Sequence, residues 1–213
     1  MAPHGERSEF SDVLDLLARL HRHKDRAYGD AWRKRGEVIA IFANLARKYD
    51  RLVIALAEEH TAAAEPLADT VGDLCVYAGK YLTWLADTQP AGFAAASAGL
   101  AAHAASAKRG PEALERVFAH LAAWEDASRL APPAGIEEAW ARANDAFRQL
   151  ENGLMAQATP GSPDRELLTW SSKAALAWRL SDSTAWLLSG IAQRDPTQLS
   201  RLRDEVAAMD ARA

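Results

Sequence analysis

Glu65, Asp69 and Asp73 stand four residues apart on a stretch that reads as helix. Each step of four advances a helix by about 6 Å and turns it by about 40°, so the three carboxylates form one slowly drifting stripe. Like charges at this spacing repel by a few tenths of a kcal/mol per pair. A divalent cation relieves that repulsion, and hard oxygens in a row suit Mg2+ or Mn2+ as cofactor. The plain alternative is a solvated acidic face near a helix N-terminus, where the dipole favours carboxylates.

A second polar stripe lies on the preceding helical stretch. Glu37, Asn44, Lys48 and Arg51 fall at spacings of seven, four and three. At the helical pitch they lie within about 60° of one another. Turned toward the acidic stripe, Lys48 and Arg51 hold phosphate oxygens while Glu37 helps hold a metal. Surface ion pairing is the alternative and is worth little where exposed. The connector from His23 to Lys34 is dense in polar, aromatic and glycine residues. Gly29 lets the backbone approach a ligand. Asp30 reads as the opening of a helix whose first amides favour anions. Tyr28 and Trp32 are placed to stack on a base. The alternative is a capped helix–helix turn with aromatic anchors.

Other chemistries lack their signatures. The six histidines form no His-Glu-x-x-His, and the single cysteine, Cys75, rules out both Cys-x-x-Cys and an intrachain disulfide. Cys75 lies between Leu74 and Val76 and reads as a small buried hydrophobe of a reducing, cytoplasmic compartment. No glycine-rich phosphate loop and no serine nucleophile elbow occurs. The seven tryptophans read mostly as core; Trp170, Trp178 and Trp186 recur every eight residues along one helix flank.

The elements that must position these residues are helices. Of the 213 residues 49% are hydrophobic, alanine is abundant and β-branched residues are sparse, a bias that favours helix. Eight helices are expected, at about 8–26, 31–59, 62–87, 93–108, 111–130, 136–157, 163–192 and 196–211. Their apolar stripes recur every three or four residues, as in Val38, Phe42, Leu45, Tyr49, Leu52, Val53 and Leu56. Ser8 or Ser11 is a candidate cap for the first helix, and Ser162 and Asp195 for the last two. Prolines 66, 111, 163 and 196 fall where first-turn prolines belong. Short loops imply antiparallel neighbours, hence an all-α antiparallel bundle. Residues 1–90 read as a nucleotide and metal unit, and 91–213 as a bundle completing one compact core. An echo of Leu82-Thr83-Trp84 in Leu168-Thr169-Trp170 hints at a pseudo-duplicated bundle, either a monomeric pseudo-dimer or a homodimer. The formal charge of −4 argues against nonspecific nucleic-acid binding. No signal peptide and no run of about 18 uninterrupted apolar residues indicates a membrane partner.

Three of these segments together resemble a known family. Lys24-Asp25-x-x-Tyr28-Gly29-Asp30-Ala31-Trp32-Arg33 is similar to the opening motif of the nucleotide-modification-associated domains. These small helical proteins are grouped near the MazG-like all-α nucleotide pyrophosphohydrolases. Lys48-Tyr49-Asp50-Arg51-Leu52 is similar to a Lys-x-x-Arg-Leu element of the same family. Glu65-Pro66-Leu67-Ala68-Asp69-Thr70-Val71-Gly72-Asp73-Leu74 is similar to its acidic helix. The resemblance covers residues 20–88. It implies a metal-dependent nucleotide pyrophosphohydrolase-like hydrolase. Glu65, Asp69 and Asp73 would hold Mg2+, and Glu37 and Asp73 would serve catalysis. Tyr28, Asp30, Trp32, Lys48 and Arg51 would bind a small-molecule nucleotide. Where MazG-like enzymes carry a Glu-x-x-Glu pair, this chain has Lys48 and Arg51. The alternative reading is a noncatalytic all-helical binding or scaffold protein.

Overall fold

The computed structural model describes residues 4–57, 67–96, 110–123, 131–158 and 168–212, and the chain is all-α. In chain order the helices are α1 (His4–Tyr28), α2 (Ala43–Ala57), α3 (Leu67–Thr88), α4 (Pro90–Ala96), α5 (Pro111–Ala123), α6 (Ile136–Ala158), α7 (Trp170–Arg194) and α8 (Thr197–Asp210). A short 3-10 helix (Gly29–Arg33) and a π-helix (Glu37–Phe42) lie between α1 and α2. One apolar core runs from Phe10 on α1 to Val206 on α8. No helix among the described residues is long and apolar enough to cross a membrane.

Helix α7 is the axis. It packs along α3 on one side and α6 on another, with α4, α1 and α8 completing its surround. A helix enclosed on all sides needs apolar or internally satisfied residues all round. Leu176, Leu180, Leu187, Leu188 and Ile191 supply the first kind. Thr184 supplies the second, its hydroxyl donating to the Leu180 carbonyl at 2.7 Å. Thr169 caps the start of α7 by accepting the Ser172 N–H. The helix thus starts at Trp170 and not at Pro163 as expected, because Thr169 supplies its cap; Ser162 and Pro163 lie outside the described residues, as do Glu65 and Pro66 ahead of α3.

The expected stripes of α1 and α3 are in the core: Leu14, Leu17 and Leu20 on one, and Val71, Leu74, Cys75, Ala78, Leu82 and Leu85 on the other. Burial pushes the Cys75 thiol up to about 12, so it stays protonated. Trp178 and Trp186 are core residues as read; Trp186 stacks on Phe10 at 4.4 Å.

The stretch before α2 differs from the reading. Gly29 does end α1, with φ 51°, the left-handed conformation glycine tolerates. Asp30 does not open a long helix. A 3-10 turn follows, then Gly36 at φ 77°, then the π-helix. Ile41, within the π turn, enters the core, while Val53, one position past the buried stripe Leu45, Tyr49 and Leu52 of α2, faces outward. Two further capping expectations are corrected. Helix α1 begins at His4, ahead of Ser8 and Ser11, because the backbone is already helical there. Pro196 stands just before α8 rather than in its first turn, while Asp195 accepts from the Thr197 N–H at 3.0 Å.

Glycine sets one close approach. A Cβ on Gly92 of α4 would lie 2.4 Å from Trp170 Cβ and 3.1 Å from the Trp170 carbonyl carbon. In an open helix, replacing glycine by alanine stabilises by about 1 kcal/mol. Here the Cβ must push backbone at the start of α7. Gly92→Ala is therefore expected to destabilise by about 1–3 kcal/mol, lowering the melting temperature by several degrees. A rise in melting temperature would show that α4 and α7 do not touch there.

Candidate functional site

Three ion pairs tie the segment from the 3-10 turn through α2 to the body of the molecule. Arg33 binds Asp87, Lys48 binds Asp73, and Lys173 reaches Glu37 at 2.8 Å. The last pair is the most enclosed. Glu37 opens the π-helix, and its second oxygen accepts the Tyr81 hydroxyl at 2.5 Å. Lys173 is fully buried on α7, with its ammonium also 4.0 Å from the Trp170 ring centroid. Desolvation, with the neighbouring Glu37 charge second, pushes the Tyr81 hydroxyl far above its ordinary range.

Beside this seam lies a cleft of about 570 Å3. Its walls are α1 (Leu20, His21, Lys24, Asp25), the connector (Gly29, Ala31, Trp32), α2 (Asn44, Arg47, Lys48) and α3 (Asp73, Val76, Tyr77, Lys80). Four cations face two carboxylates there, and Lys48 already neutralises Asp73. The cleft is thus positive in a chain whose formal charge is −4. Lys80 is held against two rings, 5.3 Å from Trp32 and 5.2 Å from Tyr77. Arg47 donates to Asn44 at 3.1 Å, and Asn44 donates to the Ala40 carbonyl at 2.7 Å. Lys24 makes no ion pair among the described residues. His21 is 4% exposed, and its Nε2 is 3.9 Å from Asp25, beyond hydrogen-bond length. Burial first, then Lys80 and Lys24, lower its pKa to about 3, so the ring is neutral.

The cleft gathers some of the expected residues and not others. Trp32, Lys48 and Asp73 line it together. Arg51 is exposed and does not line it. Glu37 does not line it either; the register of the π-helix turns it to Lys173 and Tyr81. Asp69 opens onto an adjoining depression of about 230 Å3 with Arg201 and Glu205, which shares Leu20, Lys24 and Asp73 with the cleft. Among the described residues no three His, Cys, Asp or Glu side chains come close enough to hold a metal ion. Glu65 and the side chains of Tyr28 and Asp30 lie outside the described residues. Of the described carboxylates, Asp73 is engaged by Lys48 and Glu37 by Lys173.

Sequence reasoning missed His21, Arg47 and Lys80 as cleft residues. Their signal was present in the spacing. Asp73, Tyr77 and Lys80 fall at intervals of four and three, one face of α3, and His21 and Lys24 share a face of α1.

Two stability outcomes follow from these environments. Lys173→Met strands Glu37 without its cation and should cost about 3–5 kcal/mol. Adding Glu37→Leu should recover most of that loss; a double variant as unstable as the single one would refute the pairing. His21 has a folded pKa near 3 and an unfolded one near 6.5. Between those values the unfolded chain binds more protons. Its contribution is complete above about pH 6.5 and is lost as pH falls toward 3, by about 1.4 kcal/mol per unit. Urea unfolding at pH 7 and pH 5 should show a steeper loss in the wild type than in His21→Phe.

Comparison with known proteins adds one partial likeness. The chain is 29% identical over 107 residues to the Gene 30 protein of Bacillus phage SP01, covering 40% of this chain and 48% of that protein. It thus spans about half the length of the curated relative it matches. No family model matches the chain, and no solved structure matches it.

Proposed function

We propose that this protein binds a nucleoside phosphate in the cleft between α1, α2 and α3. The observation that carries the reading is the convergence of Lys24, Arg47, Lys48 and Lys80 on one cavity of a net acidic chain. Focused positive charge in a walled cleft raises the local concentration of an anionic ligand. Arginine and lysine are the side chains suited to phosphoryl oxygens, and each charge-assisted bond contributes about 1.5–3 kcal/mol. Trp32 and Tyr77 give the same cavity flat apolar walls for the rest of the ligand. The resemblance of residues 20–88 to the nucleotide-modification-associated domains points the same way.

Binding is the reading favoured over metal-dependent hydrolysis. The cations sit in one place, whereas the described carboxylates are divided between Lys48, Lys173 and the adjoining depression. Lys48 can serve a phosphate only by exchanging Asp73 for it. Arg47 and Lys24 need no such exchange, because neither is held by a carboxylate among the described residues.

Calorimetric titration with ATP and with adenosine tests the reading. ATP should bind without added Mg2+, raise the melting temperature and weaken as salt is added. Adenosine should bind at least tenfold more weakly. Arg47→Glu and Lys80→Glu should each reduce ATP affinity at least tenfold with little change in melting temperature. Equal affinity of both variants and the wild type for ATP would remove the cleft from the account. Mg2+-dependent release of phosphate or pyrophosphate, lost in Asp73→Asn, would replace the binding reading with the hydrolytic one.

A further inference from the structure

Most charged groups of the cleft are suited to an anion. His21 is not. It lies among Lys24 and Asp25 of its own helix, Asp73, Tyr77 and Lys80 of α3, and Arg47 and Lys48 of α2. It is almost wholly buried, it lines the cavity, and its nearest carboxylate among the described residues, Asp25, is beyond hydrogen-bond distance at 3.9 Å. Its imidazole is thus a polar group on the cleft wall with hydrogen-bonding capacity to spare. An uncharged imidazole donates at one ring nitrogen and accepts at the other. Phosphate oxygens only accept when ionised, and the cationic residues around His21 answer that need better than it can.

We propose that His21 is the residue that reads the uncharged part of the ligand, accepting a hydrogen bond from a ribose hydroxyl or a base amino group while the cations hold the phosphates. This rests on the nucleoside phosphate reading and adds a specificity determinant to it. The cleft then discriminates a nucleotide from inorganic polyphosphate, which carries the same charges and no such donor. A buried group built to bond a ligand hydroxyl or amine penalises a ligand lacking it, because the group is left unpaired. Burial first, and then Lys80 and Lys24, keep the ring uncharged across the physiological range, so this contact does not titrate there.

The test is the ratio of affinities for ATP over inorganic triphosphate, measured by calorimetry on the full chain. His21→Phe should lower that ratio at least tenfold. His21→Gln keeps a neutral donor and acceptor, and should retain most of it. The wild-type ratio divided by the His21→Gln ratio should stay constant from pH 5.5 to pH 8, a quotient in which phosphate ionisation cancels. A ratio unchanged in both variants while ATP still binds overturns the role of His21 and leaves the cleft intact. A quotient that changes as pH passes through 6–7 marks an imidazole that titrates in the bound state and overturns the neutral contact as well. Failure of the wild type to bind ATP at all would remove both readings together. If His21→Phe does not fold, the His21→Gln ratio and its pH profile decide alone.

Discussion

The buried pair of Glu37 and Lys173 is the constraint on which the candidate site depends. A lysine on the central helix has no exposure and must find an anion, or lose its charge. Glu37 answers it at 2.8 Å and takes the Tyr81 hydroxyl on its other oxygen. Both bonds converge on the first residue of the π-helix. The position of that residue fixes where α2 begins, and so where Asn44, Arg47 and Lys48 stand along the cleft. The fixed point also bounds the preceding connector, which supplies Gly29, Ala31 and Trp32 to the opposite wall.

The other two ion pairs extend the same logic. Arg33 to Asp87 and Lys48 to Asp73 join the connector and α2 to the two ends of α3. Along this seam direction comes from charge, whereas the interior between α3, α6 and α7 is held by apolar packing. Apolar contacts tolerate sliding; a paired carboxylate and cation do not, because a misplaced partner leaves a desolvated charge. Helix α2 packs on the body through Tyr49, whose ring stacks on Phe147 at 3.8 Å, while Ile54 on its outer side and Ile39 of the π-helix remain exposed. A peripheral helix with so narrow an apolar face gains its register from the polar seam.

This division explains what the sequence made legible. The core stripes of α1 and α3 follow the 3.6-residue period with prolines and glycines at the ends, so Leu14, Leu17, Val71, Cys75 and Leu82 could be placed without coordinates. The π-helix could not. A π turn has no propensity signature of its own, and the period that worked elsewhere left Ile41 out of the core. The same turn moved Glu37 from the expected metal stripe to Lys173, a residue 136 positions away that no local pattern connects with it. The meeting of Lys48 with Asp73 was legible because both lie on adjacent helices with regular spacing. The grouping of His21 and Lys24 with Arg47 was not, since it needs the packing angle between α1 and α2.

The charge of the cleft and the neutrality of its histidine are two sides of one arrangement. Cations gathered to hold an anion raise the cost of a further proton nearby, and burial raises it again. His21 is uncharged first because it is buried, and then because Lys80 and Lys24 are charged. Trp32 and Tyr77 face Lys80 from two sides, so the aromatic residues that flank the cavity also bear on its electrostatics. Removing either ring would therefore alter more than stacking. It would also remove one of the two ring faces against which Lys80 lies beside His21. The aromatic faces, Lys80 and the buried imidazole thus share one wall of the cleft.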